Sequence, residues 1–331
     1  MPPLILVVGG AGYIGSHTAL ALRDAGLRTL VLDDFSTGFR GALLGGDCVE
    51  VDLLDAPRLR AALATHRPAA VVHFAARCYV GESVRDPGAY YRNNVVGTLH
   101  LLEAMVASGV ANIVFSSTCA TYGEPDRVPI EETCPQRPIN PYGNTKLACE
   151  YLLHDFGTAH GIRSIALRYF NAAGADPQAR LGEDHRPETH LIPLALAAAA
   201  GRRPPLQVFG ADYPTPDGTC IRDYIHVADL ADAHVLAVQS LLAGTGGCRA
   251  FNLGNGSGAS VAEVIAAVAR VTGRPVPHRI VARRPGDPPR LVGSTAKITR
   301  ELGWRPRRSA LDQIVADAWA WHERHPDGYA Q

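Results

Sequence analysis

The run Leu4-Ile5-Leu6-Val7-Val8-Gly9-Gly10-Ala11-Gly12-Tyr13-Ile14-Gly15 decides the fold. Five apolar residues in a row read as a strand buried on both faces, as in a parallel sheet covered by helices. Glycines at 9, 12 and 15 then give Gly-x-x-Gly-x-x-Gly before a helical run, Ile14 to Ala25. Such a strand–loop–helix turn must bend tightly, approach a pyrophosphate closely and pack helix on strand. Side chains would obstruct all three. The helix N-terminus then offers N–H groups and a positive partial charge to phosphate. A glycine-rich turn alone is weak grounds, but the next strand, Thr29 to Leu32, ends at Asp33-Asp34. A carboxylate at Asp33 suits a ribose 2′-hydroxyl and repels a 2′-phosphate, so NAD is favoured over NADP. Asp52, after a third strand at Cys48 to Val51, reads equally as an adenine neighbour or a loop-capping residue.

Further strands are expected at Ala70 to Phe74, Asn112 to Phe115 and Arg163 to Leu167, alternating with helices. This predicts an α/β protein with a Rossmann-type doubly wound parallel sheet. Polar and small residues follow the strand ends, where open α/β sheets bind ligands. Beyond residue 170 prolines and glycines interrupt the pattern, among them Pro204-Pro205 and Pro285-Gly286. Helices are expected at Leu191 to Ala200, Val227 to Leu242, Val261 to Val271 and Leu311 to His322. Phe251-Asn252-Leu253-Gly254 reads as a late strand returning to the main sheet. Residues 1–170, with returns near 227–254, therefore form the dinucleotide-binding part. Residues 171–331 form mainly a smaller mixed α/β substrate lobe.

Composition narrows the class. The chain has 331 residues, 32 basic and 32 acidic, so nothing favours nucleic acid or an anionic membrane as partner. The longest apolar stretch is too short for a bilayer, and no basic segment precedes Leu4, so no signal peptide is expected. Seven scattered cysteines without a Cys-x-x-Cys pair read as reduced, mostly buried residues of a cytoplasmic protein. No metal site is expected.

Of the 32 basic residues only Lys146 and Lys297 are lysines. Lys146 stands four residues after Tyr142, where roughly 0.07 Tyr-x-x-x-Lys pairs would arise by chance. Asn140 can cap a helix with Pro141 at its first position, which sets Tyr142 and Lys146 on one face. A nearby ammonium and a cationic dinucleotide are expected to lower the Tyr142 pKa by about 1–3 units from about 10. Thr118, at a strand end, offers a hydroxyl to the reacting oxygen.

The glycine loop, Thr118 and Tyr142-x-x-x-Lys146 together resemble the extended short-chain dehydrogenase/reductase family. Longer stretches are similar to its UDP-glucose 4-epimerase branch: His73-Phe74-Ala75-Ala76, Asn93-Asn94-Val95-Val96-Gly97-Thr98, Gly182-Glu183-Asp184, Phe209-Gly210-Ala211-Asp212-Tyr213 and Arg222-Asp223-Tyr224-Ile225-His226-Val227. The resemblance spans nearly the whole chain. It implies reversible epimerisation at C4 of a UDP-sugar through a transient 4-keto sugar, with NAD as cofactor, in galactose metabolism. It casts Tyr142, Lys146 and Thr118 as catalytic. It places Gly9, Gly12, Tyr13, Ile14, Gly15, Asp33, Asp52, Leu53, Phe74, Ala75, Asn93, Lys146 and Phe170 on the cofactor. It places Thr118, Tyr142, Asn171, His190, Leu191, Gln207, Phe209, Arg222, Arg284, Asp287 and Leu291 on the substrate. It also implies a homodimer paired through helices near Tyr90 to Val106 and Lys146 to Ala159.

Four positions depart from well-known members. Thr118 replaces a frequent serine and keeps the hydroxyl. Cys78 stands where some carry a lysine, and His190 where some carry an asparagine. Leu291 falls where a large tyrosine excludes N-acetylated sugars and a cysteine admits them. A UDP-N-acetylhexosamine or UDP-pentose 4-epimerase is therefore the runner-up. A 4,6-dehydratase needs an acid–base pair after the strand-end threonine, and Cys119-Ala120 cannot supply it. A non-catalytic NAD-binding regulator would not need Tyr142 and Lys146.

Overall fold

A computed structural model describes residues 1–284 and 287–330; Pro285-Gly286 lies outside the described residues. The strands β1 (Leu4–Val8), β2 (Arg28–Asp33), β3 (Cys48–Glu50), β4 (Ala70–His73), β5 (Asn112–Thr118) and β6 (Arg163–Tyr169) join a later strand, Cys248–Leu253, in one sheet. All pairings in it are parallel, and the order is Cys248–Leu253, β6, β5, β4, β1, β2, β3. This is the expected Rossmann-type sheet, and the late strand returns to its edge beside β6.

Why the strands read as unbroken apolar runs is visible in β1. Ile5 and Val7 enter one core with Leu22, Leu230 and Leu241, while Leu6 and Val8 enter another with Leu59, Leu63 and Leu101. Side chains alternate between the faces of a strand, and here both faces are covered by helices. The strand order reverses between β1 and β4. Their C-terminal ends leave the crevice where ligands settle in such sheets.

The sequence placed β5 and β6 short. Both continue, through Ser116-Ser117-Thr118 and through Arg168-Tyr169, because each pairs with the other along its full length. Tyr91–Val96 forms a π-helical turn that runs into the helix Gly97–Ser108. Such a wide turn commonly marks a functional position.

A third core unites the helices Leu191–Ala199, Val261–Thr272 and Leu311–Arg324. Short strands tie this lobe to the crevice. Ile221–Arg222 pairs with Ala259–Ser260 and with Arg290–Leu291, setting Leu291 opposite Arg222. Leu206–Phe209 pairs with His278–Val281. The cysteines are free, as expected, but the reading of them as mostly buried is corrected: Cys149 is buried, while Cys48, Cys78 and Cys248 are exposed. Among the described residues no helix is long and apolar enough to cross a membrane.

Candidate active site

The glycine loop shows which glycines the fold needs and which it does not. Gly9 has φ +78°, and a Cβ on it would lie 2.4 Å from the Ala75 nitrogen. A Cβ on Gly15 would lie 2.2 Å from the Gly9 carbonyl oxygen. A Cβ on Gly12 would meet only the Gly9 oxygen, at 3.6 Å. The chain itself leaves room at Gly12, so the absence of a side chain there serves something outside the chain. Gly12 also precedes the helix Tyr13–Asp24, whose N-terminus no side chain caps. An open cradle before an uncapped, positive helix end fits a dinucleotide pyrophosphate.

Asp33 is buried at the tip of β2. Its carboxylate accepts hydrogen bonds from the Ala11 N–H and the Phe35 N–H, each at 2.9 Å. Burial raises its pKa, opposed by those two donors. Asp33 therefore holds the glycine loop, and its remaining lone pairs suit a ribose hydroxyl. Asp52 is exposed and accepts from the Leu54 N–H at 2.8 Å, the geometry of a loop cap. Leu53 is buried against Gly97, and Phe74 packs its ring 4.7 Å from His234.

Next to this crevice stands the helix Pro141–His160. Asn140 caps it, accepting from the Gly143 N–H at 2.9 Å, and Pro141 takes its first position. Lys146 is 3% exposed and donates to the Ser116 carbonyl on β5 at 2.8 Å. Its ammonium lies 4.8 Å from the Phe115 ring centre. Burial lowers its pKa to about 8. Tyr142 departs from expectation. Burial pushes its hydroxyl well above the ordinary value of 10, and neighbouring Cys78 and Tyr169 add to the rise. The Thr118 side chain is the neighbour that favours ionisation. Lys146 directs its ammonium at the Ser116 carbonyl, and burial governs Tyr142 in the chain alone.

Sequence reasoning missed the parts that hold this helix in place. Asn94, from the π-helical turn, accepts from the Arg77 N–H at 2.8 Å and donates to the Thr145 hydroxyl at 3.0 Å. It ties the segment after β4 to the catalytic helix. Asn93 beside it donates to the Asn94 side chain at 3.1 Å. Glu150, one turn past Lys146, accepts from the Arg168 Nε at 2.9 Å and from Ser117. Arg168 also donates to Tyr122 at 2.8 Å, and Tyr122 to Asn252 at 2.7 Å. Glu150 at i+4 from Lys146 was the available signal.

The second wall comes from the other lobe. Phe170, Leu291 and Cys119 share one small apolar cluster, which brings Leu291 to the strand end that carries Thr118. Burial raises the Cys119 thiol to about 12, so it cannot shuttle protons near neutrality. Arg222 bonds Asp287 directly, and the Arg284 guanidinium lies 3.8 Å from the Phe209 ring centre. Asn171 donates to the Asp223 carbonyl at 3.1 Å. Gln207 and Phe209 alternate with buried Leu206 and Val208 on their strand, so both face outward. A cleft of about 600 Å³ is lined by Tyr213, Arg284 and Asp287 among others. It lies at the arginine end and does not reach Tyr142. Leu191 opens its helix and is partly buried. His190 precedes it and meets Glu183 and Glu188. The exposed Cys78 is nonetheless surrounded closely enough that burial raises its thiol, with His190 and Lys146 opposing.

Residues 5–254 match the NAD dependent epimerase/dehydratase family. The chain is 54% identical over 320 residues to a UDP-glucose 4-epimerase of Rhizobium leguminosarum bv. trifolii, covering 97% of each chain. It superposes with TM-score 0.94 on the crystal structure of UDP-glucose 4-epimerase from Brucella ovis in complex with NAD, at 54% identity, covering 96% of this chain and 98% of that one. The UDP-Glc/GlcNAc 4-epimerase of Campylobacter jejuni is similar at TM-score 0.85 and 41% identity, covering 97% and 99%.

Proposed function

The chain belongs to the NAD dependent epimerase/dehydratase family, and from that premise we propose that it interconverts UDP-glucose and UDP-galactose at C4 with NAD as cofactor. The observation that carries this reading is Tyr142 beside Thr118 at the end of β5, followed by residues that cannot act as an acid–base pair. Near-complete coverage by UDP-glucose 4-epimerase relatives supports it.

The glycine loop, Asp33, Asp52, Leu53, Phe74, Ala75, Asn93, Lys146 and Phe170 hold the cofactor in this reading, in the part formed by residues 1–170 and the returns near 227–254. Bound there, NAD supplies a hydride acceptor and donor at the sugar C4. Tyr142 Oη takes the proton of the 4′-hydroxyl and gives it back. Thr118 Oγ1 orients the 4′-oxygen and favours the ionised tyrosine. The positive charge of Lys146, 2.8 Å from the Ser116 carbonyl, stands one turn from Tyr142. Burial keeps water from the Lys146 ammonium. Arg222 and Arg284 present guanidinium forks suited to a diphosphate, with Asn171, His190, Leu191, Gln207, Phe209, Asp287 and Leu291 around the UDP-sugar.

We infer a homodimer and a cytoplasmic site of action in galactose metabolism. Exposed Val96, Val106 and Tyr151 on the two helices named above give the dimer an apolar face. Light scattering at micromolar concentration should report twice the chain mass; a monomer would remove that assignment.

The decisive assay incubates the purified protein, without added NAD, with UDP-galactose. Chromatography should resolve UDP-glucose. A 6-deoxy-4-keto product, or no turnover after NAD is supplied, would overturn the reading. UDP-N-acetylgalactosamine run alongside decides the Leu291 question.

A further inference from the structure

We propose that Glu183, His185, Glu188 and His190 form a four-ligand site for a divalent cation of the zinc class. This goes beyond the epimerase reading and shares His190 with its substrate wall. Each of the four offers one ligand atom, and these atoms all lie within 4.8 Å of one another. Glu183 Oε1 stands 2.8 Å from His190 Nδ1 and 3.2 Å from His185 Nδ1. Glu188 Oε2 stands 3.7 Å from His185 Nδ1, and Glu188 Oε1 stands 3.1 Å from His190 Nδ1. Bonds of about 2.0–2.2 Å to a tetrahedral metal place ligand atoms about 3.3–3.6 Å apart. The observed spacings straddle that range, and small rotations complete it.

A second observation distinguishes this cluster from a set of ion pairs. Glu183 is 5% exposed, yet its Oε1 accepts no hydrogen bond among the described residues, despite two imidazole nitrogens within 3.2 Å. His185 Nδ1 is likewise buried without a hydrogen bond. Glu183 Oε1 and His185 Nδ1 are close to their neighbours without a directed bond, whereas His190 Nδ1 hydrogen-bonds Glu188 Oε1 at 3.1 Å. Two buried polar atoms left without a bond inside such a cluster leave room for a shared cation. Unpaired buried polar atoms otherwise cost about 1–3 kcal/mol each.

The surroundings suit a structural ion. Glu188 Oε1 accepts from the Thr189 and His190 N–H groups at 2.7 and 2.8 Å, which fixes the carboxylate and leaves Oε2 for the metal. Such outer support is the usual companion of a metal ligand. Two imidazoles and two carboxylates fill four positions and leave none open for water, the closed arrangement of a structural site. The His185 ring meets Tyr13 of the glycine-loop helix at 6.1 Å and Tyr79 of the segment after β4 at 6.2 Å. His190 leads directly into the Leu191–Ala199 helix. The ion would brace the cofactor crevice against the substrate lobe.

Metal content of the purified full-length protein, dialysed against chelator and then titrated with ZnCl2, tests this. About one zinc per chain should bind saturably. Glu183→Gln and His185→Gln should each weaken binding at least tenfold, with circular dichroism unchanged. The Co2+ form should show the intense visible bands of a tetrahedral site. Absence of one-per-chain binding in the wild type overturns the proposal. Equal binding in the Glu183→Gln/His185→Gln double variant also overturns it, as an adventitious ion only. If the variants fail to fold, X-ray absorption on the zinc-loaded wild type decides. A shell of two imidazoles and two oxygens supports the site, and any other shell refutes it.

Discussion

The two walls of the cleft are built in opposite ways. The catalytic wall hangs on β5 and one long helix, and its working groups are already bound to backbone or to buried partners. Lys146 is held by the Ser116 carbonyl, and the helix is clamped by Glu150, Arg168 and Asn94. The opposite wall is assembled from two- to four-residue strands and from side chains that pair mainly with one another, such as Arg222 with Asp287. In the proposed reading, the wall that moves a proton is held by buried partners, while Arg222 and Asp287 on the diphosphate side pair with each other. Changes in the first wall should act on turnover and folding. Changes in the second should act on which sugar is accepted.

Tyr142→Phe is the sharpest way to break this comparison. Removing the proton-transfer group should lower kcat by about 10³-fold or more while bound NAD is retained. Near-normal turnover would place the chemistry elsewhere. Glu150→Ala should cost about 3–5 kcal/mol of unfolding free energy, because it strands the buried Arg168 guanidinium. Denaturant melts would show it, and a loss under about 1 kcal/mol would mean the clamp is idle.

Lys146→Arg should lower kcat about tenfold, since a guanidinium cannot occupy the ammonium's compact site. The pH dependence sharpens this. Burial lowers Lys146 to about 8, so it is charged below that pH and neutral above it. Rate that depends on its charge should fall as pH rises through about 8, and in Lys146→Arg that alkaline limb should vanish. Stability runs the other way. The unfolded chain holds this proton to about 10.5, so raising the pH from 8 toward 10 relieves the cost of a buried ammonium. Leu291→Tyr should have the smallest effect on UDP-galactose, within about threefold. Any activity on UDP-N-acetylgalactosamine should be lost selectively, since even one extra methylene in an apolar pocket is worth about 1–3 kcal/mol and a ring adds more bulk. Unchanged relative rates would show that Leu291 is no gate.

Much of the catalytic wall was legible because its signals are local. Strand, glycine loop, cap and helix spacing all sit within a few residues of the groups they position. Even Asn140 and Pro141 take the places their chemistry suggests. What was not legible depends on contacts across the fold. The strand ends of β5 and β6 lengthen only because each supports the other. Asn94 matters through Arg77 and Thr145, which lie far from it in sequence. Spacing on a helix shows that Lys146 is near Tyr142, but not that its ammonium points to a carbonyl on β5. The cluster from Glu183 to His190 is compact in sequence, yet its convergence depends on how that segment is folded.

The four loop glycines differ in what selection can detect. A chain altered at Gly9, Gly10 or Gly15 would be rejected by its own backbone or core before any ligand was offered. A chain carrying Gly12→Ala would express, melt and scatter like the parent, and would betray itself only when asked to bind. Screens for solubility or heat resistance would pass it. Gly12 is thus the residue at which inheritance of the fold and inheritance of the activity come apart, and the one by which a silent descendant of this chain would be told from a working one.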